Sequence, residues 1–242
     1  PKLELPSHDR RTLFLKRDVM WSSDYMKLED GLEVLKTIDE CSRYRPGWEL
    51  LEGERGQDVV EHAASLLERM GRAPLVWKHD NGGPFKSEEF QGFLAEHGII
   101  SYPIRPRAPW TNGRVERDNQ DVRGWLLSLL GKGLRWAEWD REVDEGMLML
   151  NYLKPRAVLG YRRSADVYFN TPGIEEFDRR TLLSRLDEIK CELGWDGQRK
   201  NNPLHRRAVK QLLREFGLYV EWRAGDVEAG AVNRTGSLHV SF

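Results

Sequence analysis

Cysteine is nearly absent: the chain of 242 residues holds only Cys41 and Cys191. They lie far apart and in no metal-ligand spacing, which argues against a thiolate metal site or a disulfide framework. A reduced intracellular thiol pair is the expectation. No apolar run approaches the ~20 residues of a membrane-spanning helix. Residues 1–17 are polar and basic, without the apolar stretch of a secretory leader. Charge of one sign is also missing in bulk: 38 Lys and Arg stand against 39 Asp and Glu, for a formal net charge of −1. The chain opens on Pro1 and not on Met, so upstream sequence is expected.

Charge is abundant locally, and its placement is uneven. Between Ser101 and Arg135 seven basic residues stand against Glu116, Asp118 and Asp121. Polyanion binding responds to such a patch more than to net charge. The length suits one domain of ordinary size plus an appendage.

Periodicity orders the chain. Val19–Met26, Leu32–Ile38 and Arg45–Leu51 read as three strands with short links, an antiparallel meander. Gln57–Met70 has helical spacing, with Gly71 as its stop. Leu75–Trp77 is a short strand running into His79 and Asp80. Ser87 caps a helix to His97, with Gly98 past its end. Ile99–Ile104 is a further strand, and Arg105–Thr111 a loop. Thr111 or Asn112 caps a long helix to about Leu130, followed by a helix from Ala137 to about Leu153. This order predicts an α/β fold: a mixed five-stranded sheet flanked by helices, in the order of a ribonuclease-H-like fold. Residues after about Thr171 look separate, a mainly helical C-terminal extension (171–242) behind a lead-in (1–17) and a core (18–170). Within the extension, Arg206, Arg207, Lys210 and Arg214 stud one helix. They read as a solvated face, with a second DNA or partner surface as the alternative.

Three acids carry the chemistry: Asp24 in the first strand, Asp80 in Lys78-His79-Asp80-Asn81-Gly82-Gly83-Pro84-Phe85, and Glu116 in Asn112-Gly113-Arg114-Val115-Glu116-Arg117-Asp118-Asn119. Thirty-five residues separate the last two. Each alone has a structural reading: Asp80-Asn81-Gly82-Gly83 is a ready turn, because Asn-Gly tolerates positive φ, and Glu116 complements a helix dipole. Together they form a set of hard oxygen donors suited to a divalent cation, one central carboxylate bridging and one more on each side. Clustered carboxylates repel one another unless such a cation is bound.

These residues resemble the catalytic core of retroviral integrases and bacterial insertion-sequence transposases, the Asp-Asp-35-Glu family. Ile38-Asp39-Glu40-Cys41-Ser42-Arg43 resembles its second-strand segment. Asp80-Asn81-Gly82-Gly83-Pro84-Phe85 and Asn112–Asn119 resemble its two acidic motifs, and Leu159–Tyr168 is similar to the tail of the transposase branch. The resemblance covers roughly residues 18–170. It implies that Asp24, Asp80 and Glu116 are catalytic acids that hold Mg²⁺ or Mn²⁺, two ions in all, for DNA strand cleavage and strand transfer. It implies DNA as partner and a homo-oligomer when active, with no membrane and no small-molecule substrate, in a cytoplasmic, nucleoid-associated bacterial setting. Arg105, Arg107, Asn112, Arg114, Asn119, Gln120 and Arg123 are the expected DNA contacts, the arginines through phosphates. The family's usual Thr two positions after the first acid is Met26 here, and its tail reads Lys154-Pro155-Arg156, with Ala165 in place of a proline. The upstream helix-turn-helix usual in such transposases does not fit into residues 1–17. A catalytically silent, transposase-derived DNA-binding or assembly protein is therefore the alternative. A ribonuclease acting on RNA–DNA hybrids shares the fold but not the 35-residue gap.

Overall fold

Alternation of side chains along the strand that carries Asp24 divides the whole molecule, since even and odd positions bury against different helices. The computed structural model describes residues 10–28, 31–104, 113–126, 132–195 and 203–223. Its strands β1 (Arg10–Phe14), β2 (Met20–Lys27), β3 (Glu33–Asp39) and β4 (Gly47–Leu51) precede helix α1 (Gly56–Met70). Then come β5 (Val76–His79), the short α2 (Gly83–Lys86), α3 (Glu88–Glu96) and β6 (Ile100–Pro103). Helices α4 (Gly113–Leu126) and α5 (Trp136–Tyr152) follow, with a small hairpin of β7 (Pro155–Arg156) and β8 (Arg162–Arg163). The chain continues through α6 (Ser164–Asn170), α7 (Arg179–Glu192), α8 (Pro203–Glu215) and β9 (Tyr219–Arg223).

The main sheet has the order β4-β3-β2-β5-β6, antiparallel among the first three strands and parallel from β2 to β6. This is the expected mixed five-stranded sheet with helices on both faces. Ser87 caps α3 by accepting from the Phe90 amide, and Gly71 and Gly98 end helices in the left-handed region. On one face of β2, Trp21 packs with Leu35 and Trp77 against α1 and α3. On the other, two helical layers share the sheet. Met26, Val34 and Leu50 pack against α4 and α5. Met20, Val76 and Ile100 pack against α7 and α8.

Three features differ from the sequence reading. Residues 10–14, inside the polar lead-in, form β1, which pairs antiparallel with β9 from the far end of the chain. The residues after about Thr171 are not separate: Leu182, Leu186, Ile189, Ala208, Val209, Leu212 and Leu213 are buried on the same sheet as Met20 and Val76. Their amphipathic faces find cover there because β2, β5 and β6 leave one end of the sheet open to them. The short elements α2, α6 and the β7–β8 hairpin are also additional to the expected set.

Helix α4 is polar, and charge docks it. Asp118 is buried against two fully buried cations: Lys36 Nζ lies 2.5 Å from its Oδ2, and Arg45 bonds its Oδ1. Arg156 approaches to 3.6 Å, and Arg156 and Lys154 both engage Asp121 one turn further on. The divergent tail residues thus clamp α4. Removing one member of a buried ion cluster strands the others, which costs about 3–5 kcal/mol. Asp118→Ala is expected to lose stability on that scale in urea denaturation; a loss no larger than that of a typical surface substitution would refute the docking role.

A second buried network closes the opposite end of β2. Asp39 accepts from the Asp18 amide and from both the amide and hydroxyl of Ser42. Asp18 accepts from Trp21 Nε1 and the Tyr168 hydroxyl. Burial, and then the neighbouring Asp18 carboxylate, push Asp39 up to about 7 from 3.8. The folded state holds a proton there that the unfolded chain releases, so this contribution declines as pH rises from 3.8 to about 7 and is constant above it. Asp118 has the opposite sign: burial acts to raise its pKa, but Lys36 and Arg45 outweigh it and the value is lowered. Its stabilisation is present above the ordinary carboxylate range and is lost as pH falls through the folded value. Asp39→Asn is expected to flatten the decline of urea stability between pH 3.8 and about 7. An unchanged pH profile in that window would count against it.

Candidate functional site

The acid pair is a product of register. Parallel pairing of β2 and β5 matches Ser22 with Lys78 and Ser23 with His79. The next step of the same register sets Asp24 beside Asp80, and both fall on the face shared by the two helical layers. Met20 and Val76 below them bury under α7 and α8; Met26 above buries under α4 and α5. The acids therefore lie in the strip of sheet between the two layers. Both carboxylates are half-buried.

Each is held by a hydrogen bond to one oxygen. Asn119 Nδ2 donates to Asp24 Oδ2 at 2.8 Å. The Gly82 amide donates to Asp80 Oδ1 at 2.8 Å. The turn after Asp80 does not use positive φ: Gly82 sits at φ −59. The glycine sits close to the acid: a Cβ there would lie 3.0 Å from Asp80 Oδ1, so the carboxylate would have to shift by a few tenths of an ångström to admit it. Asn81 Nδ2 ties the same turn to the Ile104 carbonyl at 2.8 Å.

His79 fastens Asp80 from the other face. Its ring stacks on Phe85, its Nδ1 lies 2.6 Å from the Asp80 carbonyl and its Nε2 3.0 Å from Ser101 Oγ. Burial lowers its pKa to about 4, so the imidazole is neutral. Deeper in the strip, Ser22 Oγ and Lys78 Nζ both donate to Glu40 Oε1, at 2.5 and 2.9 Å. This buried pair forms the floor beside the acids.

Helix α4 brings the third acid by its backbone. Asp24 lies directly across β3 from Lys36, and Lys36 holds Asp118, the neighbour of Asn119. Two consecutive residues of α4 thus lock onto two paired residues of the sheet. Glu116 lies in the same helix three residues before Asn119, a rise of ~4.5 Å. The side chains of Glu116 and Arg114 lie outside the described residues, as do Arg105, Arg107 and Asn112. Among the described residues no three acids, cysteines or histidines cluster as a metal site. Asn119, expected at DNA, is turned onto Asp24; Gln120 and Arg123 are exposed on α4. The residues that place the site but were not singled out from sequence are Lys36, Arg45 and Asp118. Lys36 had a signal: strand alternation puts it on the apolar side with Val34 and Ile38, where a lysine needs a buried partner.

Comparison with known proteins agrees with this geometry. Residues 16–109 match the integrase core domain family. The retrovirus-related Pol polyprotein of transposon TNT 1-94 from Nicotiana tabacum is 29% identical over 116 residues, 47% of this chain and 9% of the polyprotein. The chain thus spans about a tenth of that relative's length. The catalytic core domain of BIV integrase superposes with a TM-score of 0.52 at 18% identity, over 63% of this chain and 94% of that one. The HTLV-2 integrase catalytic core domain in complex with magnesium, in its trimeric form, does so with a TM-score of 0.53 at 20% identity, over 64% and 99%. At such identities the structures speak for the fold alone. The chain thus carries a ribonuclease-H-like sheet, and residues 16–109 of it are similar to the integrase core domain family.

Proposed function

We propose that this protein is a metal-dependent DNA transposase or integrase in which Asp24, Asp80 and Glu116 hold Mg²⁺ or Mn²⁺, two ions in all. The observation that carries the reading is the contact of Asn119 with Asp24. It ties the helix bearing Glu116 to the strand pair that sets Asp24 beside Asp80. The donor set fits the ions: carboxylate oxygens are what hard cations take. Asn119 and the Gly82 amide each occupy one oxygen of their carboxylate and so fix its plane. The HTLV-2 core was solved with magnesium, which supports the same choice here.

When bound, the ions supply charge stabilisation for the attacking and leaving oxygens of an in-line phosphoryl transfer. This chain's residues do the rest. Asp24, Asp80 and Glu116 would hold the ions through their carboxylate oxygens. The buried Lys78–Glu40 pair keeps the lysine's charge directed away from the acids. Arg105, Arg107, Asn112, Arg114, Gln120 and Arg123 are the residues assigned to hold the phosphodiester backbone. The reaction is hydrolytic cleavage of a strand, then attack of its 3′-hydroxyl on target DNA, with no covalent protein intermediate. Holding two DNA ends together calls for a homo-oligomer, and the work belongs in the cytoplasm, on the nucleoid.

In a strand-transfer assay with Mn²⁺, Asp80→Asn is expected to lose joined product by more than the roughly 10–100-fold that an outer-shell partner of a metal costs. Equal product from the two proteins would instead favour a catalytically silent derivative. Asn119→Ala is expected to weaken Mn²⁺ binding by about tenfold in titration calorimetry while the fold's melting temperature changes little, since it orients a ligand without being one. Unaltered Mn²⁺ affinity would remove Asn119 from that role.

A further inference from the structure

Helix α8 of the C-terminal extension begins at the strand next to the one that leads into Asp80. Helix α8 buries His205, Ala208, Val209, Leu212 and Leu213. Its first turn is fixed to the sheet where His205 Nε2 donates to the Ser101 carbonyl at 2.8 Å. Ser101 is the residue whose hydroxyl meets His79, next to Asp80. Ser101 pairs with Trp77 on β5, so α8 docks one strand over from the acid-bearing β5 and about 10 Å along the sheet from Asp80.

The opposite side of α8 is cationic. Arg206, Lys210 and Arg214 recur at four-residue intervals and so form one row. Lys210 and Arg214 are braced rather than loose: both engage Glu221 on β9, and both lie over the Tyr219 ring, at 6.0 and 5.6 Å. The single acid of α8, Glu215, is taken by Arg185 on α7. One carboxylate, Glu221, thus serves two cations of the row. Tyr102, paired with Lys78 on the acid-bearing face, lies in the field of Arg206. Arg206, next to the His205 that docks on β6, is the member of the row nearest the acid-bearing part of the sheet, and Lys210 and Arg214 continue it toward β9.

We propose that Arg206, Lys210 and Arg214 on α8 form a nucleic-acid backbone surface, the second wall of the channel whose first wall is α4. It holds phosphates of the DNA strand lying over Asp24 and Asp80. Charge complementarity and continuity with the acid strip select DNA as the occupant, and the assignment rests on the DNA-joining function proposed above. Phosphate contacts of this kind fix register without reading sequence.

The test measures binding of a fluorescein-labelled DNA duplex of arbitrary sequence by anisotropy across a salt series, in chelator, so that catalysis plays no part. Arg206→Gln/Lys210→Gln is expected to bind about tenfold more weakly at low salt, and to lower the slope of log affinity against log salt by nearly two. Glu221→Gln is expected to bind more tightly. Arg206→Lys/Lys210→Arg keeps the charge and is expected to retain the wild-type slope, which separates charge from misfolding. Arg141→Gln, on the outer side of α5, is expected to have no effect. An unchanged slope in the double Gln variant, or an equal loss in Arg141→Gln, overturns the wall while leaving the acid site standing. Reduced self-association without weaker DNA binding would assign the row to a protein partner and also overturn it. A wild-type protein that does not bind the duplex at all would sink both readings.

Discussion

Helix α4 is held to the sheet by a buried anion, and the site depends on that contact. Asp118 lies between Lys36 and Arg45, both fully buried, with Arg156 behind them. Ion pairs in a low-dielectric interior are costly to assemble and stronger in direction than in net gain. Direction is what the site requires. An apolar stripe lets a helix roll or slide by a fraction of a turn at small cost. Lys36, rising from the residue directly across from Asp24, does not. Asn119 follows Asp118 and therefore reaches Asp24. The apolar contacts of Val122 with Met26, Val34 and Leu50 fill the space beside this anchor.

The division of one sheet face between two helical layers explains why the acids are accessible at all. Strand β2 buries Met20 under one layer and Met26 under the other, and the residues between them are Ser22 and Asp24. Neither layer covers this strip completely. Its floor is polar: Ser22 and Lys78 are both bound to Glu40. The C-terminal helices are part of this arrangement: without α7 and α8 the lower ends of β2, β5 and β6 would be exposed.

Much of this was legible from local pattern. Strand alternation, helix caps and the Gly71 and Gly98 stops located the main elements because those signals are encoded within a few neighbouring residues. Asp80 and Glu116 stood out through their motifs and their spacing. What escaped was of longer range. Strand β1 is short, and its lead-in is basic; its partner β9 lies more than 200 residues further along the chain. The helix of Arg206 and Lys210 looked like a solvated face, because nothing local says that His205 docks beside the strand that neighbours Asp80. The Asn81-Gly82 turn looked like one that uses positive φ, whereas Gly82 sits at φ −59 close against the Asp80 carboxylate.

By itself the sequence determined the element order and the mixed sheet, and it singled out Asp80 and Glu116 as candidates, since periodicity and turn chemistry act over a few residues at a time. The tertiary structure decided which residues share a face and a register. It paired β2 with β5 up to Ser23 and His79, the residues that precede Asp24 and Asp80, turned Asn119 onto Asp24 and docked α8 on β6. Those outcomes depend on burying charge and apolar surface between segments far apart in the chain, and such pairings are settled only when all the layers compete for the same sheet.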